Sequence, residues 1–220
     1  MDISESLRNR TSTRGFHKKK VPQDVLVEIL TDALWAPSAS NQQPWHFHVL
    51  TGSCLEQLCQ RIHQARKKNK KTYDPSKGKT IPRQYVDRTK MLFKEIRPCI
   101  NKLGEENRMF IESGSFRFYD APAVVFITMH EALPKSRLMD IGMAAQNLML
   151  SANARGLGSC AVALTLLYED VINAYLNISD DHETVLSICL GYPDNGFPVN
   201  QFRSSRESIN DVVTWVGFSE

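Results

Sequence analysis

Arg10-Thr-Ser12-Thr-Arg14 places two guanidinium groups and a hydroxyl at alternate positions. In an extended segment, alternate side chains leave the chain on the same side. Arginine forks grip phosphate-type oxygens bidentately, so this trio suits a phosphate. A second segment, Ala36-Pro37-Ser38-Ala39-Ser40-Asn41-Gln42-Gln43-Pro44-Trp45, is polar and stiffened by two prolines. Its side-chain amides both donate and accept. That suits the edge of a heterocycle carrying carbonyls and ring NH groups.

Other chemistry-bearing patterns fail on spacing or context. Gly78-Lys79-Thr80 resembles the end of a phosphate-binding P-loop, but the motif's first glycine would fall on Tyr73. Gly156 and Gly158 lack the third glycine of a dinucleotide fingerprint and follow a helical pattern where that motif needs a strand. Read alone, they suit a helix C-cap. There is no Gly-x-Ser-x-Gly elbow. The six histidines do not cluster at ligand spacing. His46 and His48 share one strand face and read as solvent-facing or hydrogen-bonded. No metal is expected. The basic run from Arg66 to Lys71 has only Tyr73 and Tyr85 nearby, and reads as a solvated surface, not a nucleic-acid site.

The elements that must position these residues are legible in part. A short helix capped by Asp2 or Ser4 runs to about Asn9. Pro22 opens a second helix in which Val25, Leu26, Ile29, Leu30, Ala33 and Leu34 recur with a helical period on one buried face, and Pro37 stops it. Trp45 to Leu50 reads as a strand, and Cys54 to Ile62 as a helix. Lys67 to Thr89 is charged and weakly periodic, and reads as an excursion. Met91 to about Asn107 is helical again. Pro122 to Met129 is the apolar run of a central strand. Ser136 to Arg155 carries the strongest helical pattern. Met143, Ala144 and Asn147 suggest that several of its faces are covered, as in the middle of a dimer. Strands at Cys160 to Leu164 and Thr184 to Leu190 flank a helix from Asp170 to Leu176. This mixed order favours α+β over a doubly wound sheet.

The chain has 220 residues and a net charge of +3, with 42% hydrophobic and 23% charged residues. That excludes disorder as the main state and gives no electrostatic case for nucleic acid. The longest apolar run, Ala121 to Met129, is too short to span a membrane. The five cysteines include no Cys-x-x-Cys pair, and MDISESLRNR carries no apolar signal-like region. Free thiols in a reducing cytoplasm are the expectation.

Taken together, Arg-x-Ser-x-Arg-x-Phe at 10–16, Ala-Pro-Ser-x-x-Asn-x-Gln-Pro-Trp at 36–45, Gly-Leu-Gly-Ser-Cys at 156–160 and Gly-Tyr-Pro at 191–193 resemble the FMN-dependent nitroreductase family over nearly the whole chain. The stretch from Ile81 to Tyr119 resembles its longer, nitrobenzoate-reductase-like branch. The resemblance implies a single α+β domain over 1–220, with an excursion at about 66–119. It implies a central, mostly antiparallel sheet flanked by helices, in an intertwined homodimer with FMN at the interface. Arg10, Ser12 and Arg14 would hold the phosphate, ribityl chain and pyrimidine edge, and Arg206 would return to the phosphate. Pro37, Ser38, Ala39, Asn41 and Gln43 would come from the second copy. Leu157, Gly158 and Ser159 would lie near the flavin N5 through backbone groups. This sequence departs from the family pattern at Ala39, where many members carry a second serine, and at Ser204, where a lysine often precedes the late arginine; Arg203 would be the residue to compensate. The implied activity is ping-pong hydride transfer from NADH or NADPH, through FMN, to a nitroaromatic, quinone or similar small acceptor, with no protein catalytic residue. Reductive dehalogenation or ene reduction on the same scaffold, or flavin binding without turnover on a protein that uses its basic surface for a partner, are the alternatives.

Overall fold

The computed structural model describes residues 2–74, 76 and 78–218. Positions 75 and 77 of the expected excursion lie outside them. The helices are α1 (Ile3–Asn9), α2 (Gln23–Leu34), α3 (Gly52–Lys68), α4 (Arg83–Asn101), α5 (Phe110–Ser115), α6 (Leu138–Ala154), α7 (Glu169–Leu176) and α8 (Ile209–Val212). The strands are β1 (His46–Thr51), β2 (Ala123–His130), β3 (Gly158–Val162) and β4 (His182–Gly191). They form one antiparallel sheet in the order β1-β2-β4-β3. The fold is α+β, as expected.

The sheet is buried on both faces, which explains the unbroken apolar run of β2. Val124 and Phe126 face a core built with Leu58 and Ile62 of α3, Ile96 and Ile100 of α4, and Ile172 of α7. Ala123, Val125 and Ile127 face the other core, with Ile29 and Ala33 of α2 and Ile141, Ala145 and Leu148 of α6. Alternation along one strand thus feeds two cores. Pro22 stands just outside α2 with extended backbone.

The expected weakly periodic stretch to Thr89 and the helix from Met91 are corrected. Helix α4 begins at Arg83, directly after Pro82. Its first half is solvent-exposed, so no apolar stripe marks it. Charge pairs steady it instead, with Arg83 Nε 3.4 Å from Asp87 Oδ2. It stops at Asn101, and Gly104, at φ 93°, separates it from a 3-10 turn at Glu105–Asn107. The expected strand at 160–164 shifts two residues earlier, and Leu164 opens a 3-10 segment.

Candidate functional site

The segment after α1 runs extended along the free edge of β3. Ser12 pairs in parallel with Ser159, and the Thr13 amide donates to the Ser159 carbonyl at 2.9 Å. The segment therefore covers an edge strand that would otherwise be open. Strand alternation follows from this pairing. Arg10, Ser12 and Arg14 line one cavity of about 490 Å³ with Arg203 and Arg206, while Thr13 turns inward and is buried.

Two glycines make this approach possible. Gly156, at φ 74°, follows α6, where the Leu157 amide reaches the Ala152 carbonyl at 2.9 Å and the Gly156 amide reaches Asn153 at 3.1 Å. That is a Schellman closure, and it needs the left-handed conformation glycine adopts freely. At Gly158 a Cβ would overlap the Thr13 side chain.

The far side is held from the C-terminal half. Asn200 Oδ1 accepts from the Arg14 and Gly15 amides at 2.7 and 3.1 Å. Its Nδ2 donates to the Gly15 and Asp194 carbonyls at 2.7 and 2.8 Å. All four bonding positions of that side chain are thus used. Arg203 Nη1 donates to the Asn9 carbonyl at 2.8 Å. Arg206 Nη1 donates to Ser204 Oγ at 2.7 Å, so Ser204 orients the late arginine that shares its cavity.

The site is cationic and unneutralised. Among the described residues no carboxylate lies within 4 Å of Arg10, Arg14, Arg203 or Arg206. Burial, then the neighbouring Arg206 and Arg203, hold the Arg10 guanidinium below its ordinary pKa. Arg14 Nε and Ser159 Oγ are buried with no hydrogen-bond partner among the described residues. Unpartnered buried polar atoms are rare in native proteins, and a ligand is one way to satisfy them. Arg14 also lies 5.8 Å from the Tyr119 ring centroid. Burial pushes the Tyr119 hydroxyl up, and Arg14 opposes the shift. Burial likewise raises the Cys160 thiol, against Arg14 and Ser12.

The other expected residues lie in two places. Leu157, Gly158 and Ser159 line a smaller cavity of about 230 Å³, which shares Arg10, Thr11 and Arg203 with the first. The Leu157 side chain is committed to the core. Pro37, Ser38, Ala39, Asn41 and Gln43 line neither cavity within a single chain. Their loop is nonetheless built: the Ala39 amide donates to buried Asp140 at 3.2 Å, and Arg137 Nη1 donates to the same carboxylate. The Gln43 amide donates to Ser38 Oγ at 3.0 Å, and Gln43 Nε2 to Asn41 Oδ1 at 3.2 Å. Ser40, Asn41 and Gln43 all have positive φ near 50°. Such strain persists where surrounding bonds over-determine the backbone. Sequence reasoning missed Asn200, Thr13 and Asp140; no spacing pattern links them to the segments they hold.

The sequence matches the profile described as "Nitroreductase family" over residues 7–192. It is 31% identical to a chloronitrobenzene nitroreductase of Comamonas testosteroni, over 97% of this chain and 96% of the relative. It is 30% identical to a 4-nitrobenzoate reductase of Pseudomonas putida, over 99% and 96%. The crystal structure of the FMN- and NADPH-dependent nitroreductase NfnB from Sphigopyxis sp. strain HMH is similar in fold, with TM-score 0.91 and 25% identity over 99% of this chain and all of that one. A profile match that begins in α1 and ends just past β4, together with a relative above 30% identity along nearly the whole length, makes this chain a member of the nitroreductase family.

Proposed function

We propose that the protein is an FMN-dependent NAD(P)H oxidoreductase that passes electrons to nitroaromatics, quinones or related acceptors by a ping-pong route. The observation that carries this reading is the arginine cluster. Among the described residues, Arg10, Arg203 and Arg206 share one cavity that no carboxylate lines, beside the unpartnered buried Arg14 Nε. A phosphate dianion answers that charge. The FMN- and NADPH-dependence named for the similar NfnB structure supports the same choice.

Bound FMN would supply hydride chemistry at its N5. Arg10, Ser12 and Arg206 would hold the phosphate and ribityl chain, with Arg203 adding charge. Arg14 would face the pyrimidine edge, where a fixed cation favours developing negative charge. Leu157, Gly158 and Ser159 would meet the ring through backbone groups and the Ser159 hydroxyl. Among the described residues, the titratable ones lining the cavity of about 490 Å³ are all arginines, which keep their protons at any working pH. Tyr119 is bonded within the protein, to Ser115 Oγ at 3.0 Å and the Ile111 carbonyl at 3.2 Å. Water would therefore supply the protons.

A second copy of the chain would complete the site with Pro37, Ser38, Ala39, Asn41 and Gln43. Exposed apolar side chains support this: Val27 and Leu34 of α2, Trp35 just after it, and Met139 and Met143 of α6 are all exposed in the single chain. Isolated exposed apolar residues are ordinary, but a run of this kind marks an interaction surface.

The test is an absorbance spectrum of the purified protein, followed by anaerobic NADH and then NADPH. Yellow protein that releases FMN and is bleached by either donor supports the reading. Colourless protein that fails to bind added FMN overturns it. Parallel lines in two-substrate kinetics support the ping-pong order, and converging lines refute it.

A further inference from the structure

Three consecutive residues at the entry to β2 hold the left-handed conformation: Phe118, Tyr119 and Asp120 have φ of 51°, 53° and 55°. For bulky side chains such backbone is a true outlier, and it persists only where its surroundings over-determine it. Here they do. Phe118 is fully buried and meets Phe126 of β2 edge-on at 5.5 Å. Asp120 pairs with Arg117 at 3.2 Å. Between them, the Tyr119 hydroxyl is bonded to Ser115 Oγ at 3.0 Å and donates to the Ile111 carbonyl at 3.2 Å. A Cβ on Gly114 would overlap the Tyr119 ring, so α5 is notched to admit that ring.

The ring so placed faces Arg14. The guanidinium carbon lies 5.8 Å from the ring centroid, inside the reach of about 6 Å over which a ring face attracts a cation. Arg14 has little else to fix its head. Nη1 stands 3.4 Å from the Ser12 carbonyl, outside the usual range of about 2.7–3.2 Å, and Nε has no hydrogen-bond partner among the described residues. The aromatic row continues beneath the backbone. Phe110 lies 5.6 Å from the Tyr119 ring and 5.5 Å from that of Phe197, and a Cβ on Gly15 would overlap Phe197. One row thus backs the Arg14 side chain and the residue that follows it. Tyr119 is only 5% exposed and does not line the arginine cavity, whereas Ile111, which accepts its hydroxyl, does. Tyr119 therefore stands behind Arg14 and not in the cavity.

We infer that Tyr119 is a positioning residue for electron transfer: its strained turn holds an aromatic face behind Arg14, and that face aims the guanidinium at the flavin pyrimidine edge and so raises the potential of the bound cofactor. The inference rests on the oxidoreductase reading and on the place given there to Arg14. A cation oriented before charge develops costs no reorganisation when it does. A guanidinium free to swing toward water loses that advantage. The effect falls on the reduced form, where negative charge accumulates beside Arg14. Binding of the phosphate stays with Arg10, Ser12 and Arg206, so affinity for the oxidised cofactor is largely spared.

The test is the two-electron midpoint potential of bound FMN, read by anaerobic dye equilibration, together with the affinity for oxidised FMN from fluorescence quenching. Tyr119→Leu is expected to weaken the binding of reduced relative to oxidised FMN about tenfold, which lowers the potential by about 30 mV. Tyr119→Phe, which keeps the ring face, is expected to keep the parent potential. Arg14→Gln should lower the potential at least as far as Tyr119→Leu. Adding Tyr119→Leu to it should lower it no further, because the ring acts through the arginine. Should Tyr119→Leu not fold, replacing Tyr119 by pentafluorophenylalanine keeps the ring shape, withdraws its negative face and is expected to lower the potential in the same direction. An unchanged potential in a folded, FMN-binding Tyr119→Leu or fluorinated variant overturns the inference. So does a Tyr119→Phe potential that falls as far as that of Tyr119→Leu, or a further fall on the Arg14→Gln background. A parent protein that binds no FMN sinks the oxidoreductase reading itself, and the inference with it.

Discussion

The side chain of Asn200 accepts the backbone amide of Arg14 at 2.7 Å, across 186 positions of sequence. Through this bond the C-terminal third of the chain sets the height of the Arg14 backbone against the edge of β3. The bonds to Gly15 and Asp194 tie three segments to one amide. Replacing Asn200 by Ala is expected to cost about 1–3 kcal/mol, since several part-buried groups lose their partners at once. Asn200→Asp should be at least as damaging, because a carboxylate would then face two carbonyl oxygens. Urea unfolding of both variants, with FMN titration, checks this; unchanged midpoints would remove Asn200 from the site's framework.

Arg206 can be separated from the rest of the site by the phosphate itself. Its guanidinium, oriented by Ser204, is exposed. Arg206→Gln should weaken FMN binding about tenfold or more, as expected for one charge-assisted contact of about 1.5–3 kcal/mol. Riboflavin, which lacks the phosphate, should bind the variant and the parent alike. The comparison is read from flavin fluorescence quenching, and equal losses for both ligands would place Arg206 elsewhere.

Gly158 and Thr13 offer a paired test of the β3 edge. A Cβ at 158 would overlap Thr13. Gly158→Ala is therefore expected to destabilise by roughly 1–3 kcal/mol, the usual range for overpacking. Thr13→Ala in the same chain should recover part of that loss, because it vacates the volume the new methyl needs. A double-mutant cycle on unfolding midpoints measures the coupling. Additive losses would mean that the segment is not held by this contact.

The pH response has a defined sign. Burial, then His46 and His182, hold the His48 imidazole below its usual pKa of 6.5. The folded chain thus binds fewer protons there than the unfolded chain. This contribution is fully present above pH 6.5 and is lost as pH falls through 6.5 toward the folded value. Asp181 acts in another window. Bonds to Ser179 and His182 lower it to about 2, so its contribution persists above pH 3.8 and fades below. His48→Gln, which can still bond Thr128 Oγ1, should flatten the stability loss between pH 7.5 and 5. Denaturant midpoints across that interval decide it; an unchanged slope would assign the loss to another group.

The sequence made the strands and the long helices legible where burial is periodic. The run at β2 and the stripe on α6 are visible because their neighbours lie on fixed faces. The first half of α4 was hidden, since an exposed, charge-paired helix has no apolar period. Within the site, Arg10, Ser12 and Arg14 were readable because strand alternation is a local property. Asn200 and Asp140 were not, because each acts on a backbone amide more than 100 residues away. A side chain that bonds to a main-chain group leaves no mark on the identity of its partner.

The loop at 37–43 turns oligomeric state into a test of the site. It is fixed by Asp140 yet lines neither arginine cavity in its own chain. Trp35, just before it, is 83% exposed, and Val27 and Leu34 are also exposed. If the loop serves a second copy, disrupting that apolar face must weaken cofactor binding without touching any arginine. Val27→Glu/Trp35→Glu should give a monomer by light scattering, with folding retained, because both side chains already tolerate water. FMN affinity should fall in the same preparation and recover partly as protein concentration rises, by mass action. A monomer that binds FMN as tightly as the parent would confine the whole site to one chain and leave the strained loop with another purpose.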